Sequence, residues 1–316
     1  MSDVSVVIPA RNAATTLAET LRSVLVAPEV GEVIVVDDGS TDQTATIARS
    51  IKDPRIRVIL GPQSGIAAAL NVGFAAVKLP FVARCDADDL YPPDRLEWQR
   101  DWLLKNPAFI GVSGGFATMF PDGAHAADLA CTGDARDVTD LLLNGETATH
   151  LCAWLLRSDA IAKCGGARTW FVSAEDVDLQ FRLAEIGHVW HVPKIAYFYR
   201  LHDASITHRS DFSMISFFDK QARYFAKERR SIGKDRLELG HPPKPPSDSV
   251  TSRSKTSALD HATGQVIGAA WKEFEENVRG DAYLRLRATL LQRPLSRTLW
   301  WHVLILNAKH IKRSIF

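Results

Sequence analysis

The sequence predicts an α/β protein built on an open, doubly wound, mainly parallel sheet. Three observations carry that prediction. Short β-branched runs alternate with stretches of helical periodicity, the pattern of βαβ units. The runs are continuously apolar rather than alternating, as expected for strands covered on both faces. Acidic clusters stand directly after two of the runs, at the strand ends where open α/β sheets bind ligands.

Taken in order, "VSVVI" (4–8) reads as the first strand, and "TTLAETLRSVL" (15–25) as a helix with Leu17, Leu21, Val24 and Leu25 on one face. "EVIVV" (32–36) and "RIRVIL" (55–60) are strands, separated by a helix over "TDQTATIARSI" (41–51). "GIAAALNVGFAAV" (65–77) is helical, "FVARC" (81–85) is the fourth strand, and "PDRLEWQRDWLL" (93–104) is the next helix. A catalytic domain is expected over residues 1–230. Residues 231–257 are rich in Pro, Ser and charge, so a flexible linker is expected there. Residues 258–316 form a helical segment in this reading, broken near Pro294.

Composition narrows the class. With 316 residues, 46% of them hydrophobic, the chain has ample material for a core. Its 38 basic and 37 acidic side chains leave a formal charge of +1, which argues against a bulk electrostatic grip on nucleic acid and leaves only local patches open. The four cysteines form no C-x-x-C pair, which argues against a zinc site and suits a reducing cytosol. "VSVVI" is too short for a signal peptide, and no stretch approaches the ~20 apolar residues of a membrane span. A soluble, cytoplasmic protein is expected.

The acidic clusters hold the chemistry. "VIVVDDGSTD" follows the second strand; Gly39 gives a tight exit, and Ser40 or Thr41 is placed to cap the next helix. Asp37 and Asp38 there have a plain alternative as turn and helix-start residues. "FVARCDADD" gathers Asp86, Asp88 and Asp89, more carboxylates than one helix cap requires. Like charges that close repel one another unless a positive group intervenes. Hard oxygen ligands at one point suit Mg²⁺ or Mn²⁺ shared with substrate phosphates. In "FVSAEDVDLQFRLAEIG" (171–187), Ser173 and Asp176 have the spacing of a capping box, and Leu179, Leu183 and Ile186 mark the buried face. Glu175 and Asp176 fall in the first turn, where the helix dipole favours an ionised carboxylate able to act as a general base. "YFYRLHDASIT" (197–207) contributes His202; a lone His is more often structural than a ligand.

Together these motifs resemble the inverting glycosyltransferases of family two, which share the GT-A fold, a Rossmann-like, doubly wound mainly parallel sheet, here with a C-terminal helical extension. "VSVVIPARN", "VIVVDDGSTDQT", the stretch from "GIAAALN" through "DADDLYPPDRLEWQ", "SAEDVDLQFRLAEIG" and "YRLHDASIT" match in order over about two-thirds of the chain. The resemblance implies that Asp38 accepts a hydrogen bond from the nucleotide base, with the backbone around Pro9 lining the same pocket. Asp86 is implied near ribose and diphosphate, Asp88 on a Mg²⁺ or Mn²⁺ ion, and His202 near the diphosphate or the metal. Asp176 matches the catalytic base, and Glu175 is implied to hold the acceptor or the donor sugar. Arg84 is placed either on the sugar and phosphates or against a neighbouring Asp. Many relatives carry an aromatic residue where this chain has Arg11; a guanidinium also stacks on a flat ring.

The implied activity is metal-dependent transfer of a sugar from a nucleotide-diphosphate sugar, with a UDP-sugar favoured, to an acceptor hydroxyl. A saccharide or lipid-linked acceptor in cell-surface polysaccharide or glycolipid assembly is expected. The Q-x-x-R-W signature of processive relatives is absent, since "QRPLSRTLW" has the wrong spacing, so single-sugar transfer is expected. Two rivals stand beside this. A nucleotidyltransferase would carry a Gly-rich, basic phosphate loop that "IPARNAATTL" lacks, and a non-catalytic sugar-nucleotide sensor would not need Asp176. The C-terminal "LSRTLWWHVLILNAKHIKRSIF" suits an interfacial helix on the inner face of the cell membrane, and equally a helix packed on protein.

Overall fold

The computed structural model describes residues 2–202, 212–246, 257–275, 282–292 and 296–315. The chain divides into two units: Met1–Phe116 with Leu129–Tyr199 and Ser210–Thr251, and Ala117–Asp128 with Arg200–Arg209 and Ser252–Phe316.

In the first unit, strands β1 (Val4–Ala10), β2 (Val30–Asp37), β3 (Ile56–Leu60) and β4 (Phe81–Arg84) are the four apolar runs of the sequence. They stand in the order β3-β2-β1-β4, all parallel, with Val7 opposite both Ile34 and Arg84. Helices α1 (Leu17–Leu25), α2 (Thr44–Ser50) and α3 (Ile66–Ala75) connect them. Successive side chains of β1 enter different cores: Val6 and Ile8 join one apolar cluster, and Val7 joins the other. Helix α3 lies so close to the sheet that a Cβ at Gly73 would collide with Val7.

Beyond β4 the sheet turns antiparallel. The order continues through β8 (Trp154–Arg157), β5 (Phe109–Met119), β9 (His188–Arg200) and β7 (Arg136–Asp137). Helices α4 (Arg95–Lys105), α5 (Thr139–Leu143), α6 (Ser158–Cys164), α7 (Glu175–Ala184) and α8 (Phe212–Ile232) complete this unit. Leu179 and Leu183 of α7 are buried as the periodicity requires, whereas Ile186 lies past the helix end and is exposed.

The expected linker begins inside the fold rather than outside it. Residues 231 and 232 end α8, and Asp235 is fully buried between Arg168 and Arg229. A charge-rich sequence reads as solvated until each charge is seen to have a partner. Residues 247–256 of that stretch and the expected break at Pro294 lie outside the described residues.

Among its described residues the second unit contains the end of β5 paired with β6 (His125–Leu129) and the helices α9 (Ala258–Glu275), α10 (Ala282–Gln292) and α11 (Arg297–Ile315). Ala262, Val266, Leu286, Leu290, Leu299 and Leu306 are buried among them, and the Trp271 indole N–H donates to His302 Nδ1 at 2.8 Å. Among the described residues, no helix is long and apolar enough to cross a membrane.

Candidate active site

Strand order reverses around β1, and the carboxyl ends of β2 and β4 flank it, the place where open α/β sheets form a ligand crevice. After β2 the chain turns at Gly39, whose φ of 76° is accessible to glycine without strain. Asp37 Oδ1 accepts from the Ser40 amide at 3.1 Å. Asp38 is buried, and its carboxylate accepts from the amides of Gln63 at 2.7 Å and Gly65 at 3.0 Å, so it shapes the β3–α3 loop. Each oxygen retains a second lone pair toward a ligand. Ser40 and Thr41 do not cap α2. They clasp Asn12 instead, with its Oδ1 accepting from the Thr41 amide at 2.8 Å and its own amide donating to Ser40 Oγ at 3.0 Å. The N-cap is Gln43, which makes no side-chain cap, and Asp42 before it accepts from the Thr44 amide at 2.9 Å. Pro9 is buried near the end of β1, and Arg11 is exposed in the turn that follows.

The positive group among the carboxylates after β4 is Arg84. Its side chain is 6% exposed, and it forks onto Asp86 with Nε–Oδ1 2.7 Å and Nη2–Oδ2 3.2 Å. On its far side Nη1 meets Glu175 Oε1 at 3.0 Å. Burial works against the guanidinium charge, but Asp86, the nearby Cys152 and Glu175 more than offset it and hold its pKa well above the usual value. One guanidinium cannot neutralise both carboxylates in so dry a place. Burial therefore raises the Glu175 pKa, with Arg84 acting to lower it and Asp176 adding to the rise.

The turn is braced from behind. Tyr197 donates its hydroxyl proton to Asp89 Oδ2 at 2.8 Å and accepts from the Asp86 amide at 2.9 Å. Tyr91 donates to the Arg84 carbonyl at 2.7 Å, and the Arg95 guanidinium stacks 4.0 Å over its ring. Of the three carboxylates, Asp86 is committed to Arg84 and the fully buried Asp89 to Tyr197; Asp88 is half-buried between them.

Helix α7 opens directly on the other acidic pair. The capping box expected from Ser173 does not form: the N-cap is Ala174, in the left-handed region with φ of 58°, and no side chain caps the helix. A non-glycine residue held there is strained by roughly 1 kcal/mol, and such strain collects at functional sites. The helix is fixed from below by charge. Fully buried Asp178 is clamped by Arg168 and by Arg182, whose Nε lies 2.9 Å from Asp178 Oδ2. Arg182 also donates to the carbonyls of Cys164 at 2.8 Å and Gly166 at 2.6 Å. Above this anchor Glu175 is locked on Arg84. Asp176 is half-buried, and its carboxylate makes no hydrogen bond or ion pair among the described residues.

His150 was not singled out by any motif. It precedes a short 3-10 turn (Leu151–Ala153), lies edge-on to Phe116 at 4.5 Å and stacks on Tyr199 at 5.9 Å. The ring keeps solvent contact, yet the protein atoms around it push its pKa below the ordinary value. The charges of Asp176 and Asp86 act in the opposite sense, so His150 is within electrostatic reach of both.

His202 follows β9 in the second unit and is half-buried. No group of three or more His, Cys, Asp or Glu side chains positioned for a metal occurs among the described residues. Mg²⁺ nevertheless commonly sits on one or two carboxylates, with phosphate oxygens and water supplying the rest. The half-buried Asp88, in a turn at the crevice, fits that chemistry.

A strand-end crevice with an acidic turn after β4 and an uncommitted aspartate at a helix start is the arrangement expected of a GT-A type protein. The model for the family described as Glycosyl transferase family 2 matches residues 5–162, half of the chain. The protein belongs to that family. It is 40% identical over 122 residues to the succinoglycan biosynthesis protein ExoU of Rhizobium meliloti (strain 1021), covering 35% of each chain. It is 27% identical over 238 residues to chondroitin synthase of Pasteurella multocida (strain Pm70), covering 74% of this chain and 24% of that one. These matches span only about a third or less of the relatives' own length. Among solved structures, S. aureus TarS 1–349 in complex with UDP-GlcNAc superimposes with a TM-score of 0.58 at 18% identity, covering 91% of this chain and 88% of that one. That likeness establishes the GT-A fold.

Proposed function

We propose that the enzyme moves a single sugar from a nucleotide-diphosphate sugar to an acceptor hydroxyl, in one displacement that inverts the anomeric carbon. The observation that carries this is Asp176, the one carboxylate of the acidic pair that Arg84 leaves uncommitted, at the mouth of a charge-anchored helix. Asp176 takes the proton of the attacking hydroxyl as the new bond forms, and a positioned base of this kind is worth ~10²–10⁴-fold. Glu175, held by Arg84, orients the sugar beside it. Asp38, the backbone at Pro9 and the guanidinium of Arg11 hold the nucleoside, and Asp86 lies toward its ribose and diphosphate. Asp88 would hold Mg²⁺ or Mn²⁺, which when bound would neutralise charge developing on the departing diphosphate; His202 is the other residue the resemblance implies for the metal.

A UDP-sugar is the favoured donor, supported by the UDP-GlcNAc complex of TarS. A saccharide or lipid-linked acceptor in polysaccharide assembly is supported by the names of the succinoglycan and chondroitin relatives. The test is release of nucleoside diphosphate over a panel of donors, with Mn²⁺ or with EDTA, and NMR of the product anomer. One donor should be consumed in Mn²⁺ only, and its anomeric configuration should invert. Retention of configuration, or a panel on which no donor is bound, would overturn the proposal.

A further inference from the structure

The C-terminal helix resolves into two faces. Leu299, Val303 and Leu306, at spacings of four and three, are buried, and α11 packs through them on α9 and α10. The opposite stripe stays in solvent: Trp300 is 46% exposed, Trp301 55% and Leu304 59%. Packing on α9 and α10 therefore accounts for one side of α11, while Trp301 and Leu304 on the other are more than half exposed.

The charge around this stripe identifies what it meets. Residues 282–316 contain seven Lys or Arg and no Asp or Glu, in a chain whose formal charge is only +1. Arg297 is exposed one turn before the stripe, Lys309 beyond it lies 4.8 Å over the Trp271 ring, and Lys312 and Arg313 follow in sequence. A second copy of the chain would set this basic segment against itself. An anionic lipid surface is its electrostatic complement, and tryptophan is the side chain most at home at the headgroup level.

We propose that the face of α11 bearing Trp300, Trp301 and Leu304 binds anionic lipid headgroups, so that the protein docks peripherally on a negatively charged bilayer. The indoles and Leu304 enter the headgroup boundary while the flanking basic residues pair with lipid phosphates. No span is involved, since none of the described helices is long and apolar enough to cross. The proposal uses none of the acidic residues of the crevice, so it stands whether or not the proposed reaction is correct.

Co-sedimentation of the full chain with vesicles of phosphatidylcholine alone or mixed with phosphatidylglycerol tests this. The protein should pellet only with the mixed vesicles, and release in high salt. The Trp301→Ala/Leu304→Ala variant, altered at exposed positions only, should keep the wild-type melting temperature and lose at least tenfold in partitioning. Replacing Arg297, Lys312 and Arg313 by Gln should weaken low-salt binding by roughly 100-fold, about fivefold for each charge. Wild-type protein that stays in the supernatant at low salt overturns the proposal, as does binding that survives both sets of changes. A dimer in lipid-free sedimentation velocity that Trp301→Ala/Leu304→Ala dissolves would assign the face to a second copy instead.

Discussion

Replacing Arg84 with methionine keeps the length and bulk of the side chain and deletes the one cation between Asp86 and Glu175. Arg84 makes three N–H···O contacts of 2.7, 3.2 and 3.0 Å, and its side chain and that of Glu175 are 6% and 7% exposed. Leaving a buried charge without its partner costs about 3–5 kcal/mol. Protonation of Glu175 limits that loss, which gives the variant a pH signature. The Glu175 pKa is already raised by burial above the ordinary 4.5. Between the unfolded and folded values the folded chain holds the extra proton, so stability falls as pH rises through that window. Without Arg84 the window extends upward, with a slope of at most ~1.4 kcal/mol per pH unit. Urea unfolding at pH 5 to 8 should show Arg84→Met close to wild type at the acid end and about 3–4 kcal/mol less stable at pH 8. Adding Glu175→Gln should restore most of the difference. A variant as stable as wild type at pH 8, or a deficit unchanged by acid and by Glu175→Gln, would refute the shared-cation account.

Asp88→Asn should abolish turnover and remove the metal dependence of donor binding while the fold stays intact; near-full activity in Mg²⁺ or Mn²⁺ would contradict the assignment, and calorimetry with and without EDTA checks it. Asp178→Ala removes the buried carboxylate shared by Arg168 and Arg182 in the anchor of α7 and should lower stability by about 3–5 kcal/mol, read from denaturant midpoints. His191 is buried, bonded to Ser113 and to the Ala130 carbonyl, and burial holds its pKa below the ordinary 6.5. Below about pH 6.5 the unfolded chain gains a proton that the folded one refuses, so melting temperature should fall with acidification from there. His191→Gln should flatten that slope, as thermal scans at pH 5.5, 6.5 and 7.5 would show.

The parallel half of the sheet was legible because β1, β2, β3 and β4 are unbroken apolar runs, the one pattern that two-sided burial imposes. The antiparallel half was not. The apolar run of β5 is broken by Gly111, Ser113, Gly114 and Gly115, β7 is two residues long, and β9 contains Pro193 and Lys194. Local chemistry also misled where tertiary partners compete for the same groups. Ser40 and Thr41 have cap chemistry, but Asn12, brought across by the β1 exit, takes them, and Ser173 stands one residue too early to cap α7. The sequence put three carboxylates together and raised the matter of their counter-charge. It could place Arg84 beside Asp86, yet not bring Glu175 onto the other side, because that contact joins residues 91 positions apart. His150 carries no motif, and only the folding of β5 and β9 around it sets it near Asp176 and Asp86.

The central claim is that Asp176 is the base of the reaction and has no part in holding the donor. Donor affinity by calorimetry and turnover by nucleoside diphosphate release, measured side by side for wild type and Asp176→Asn, test it most directly. The account predicts unchanged affinity and a rate reduced by about 10² or more, since one positioned base is lost and nothing else. Wild-type turnover in Asp176→Asn, or loss of donor affinity ahead of any loss of rate, would contradict it.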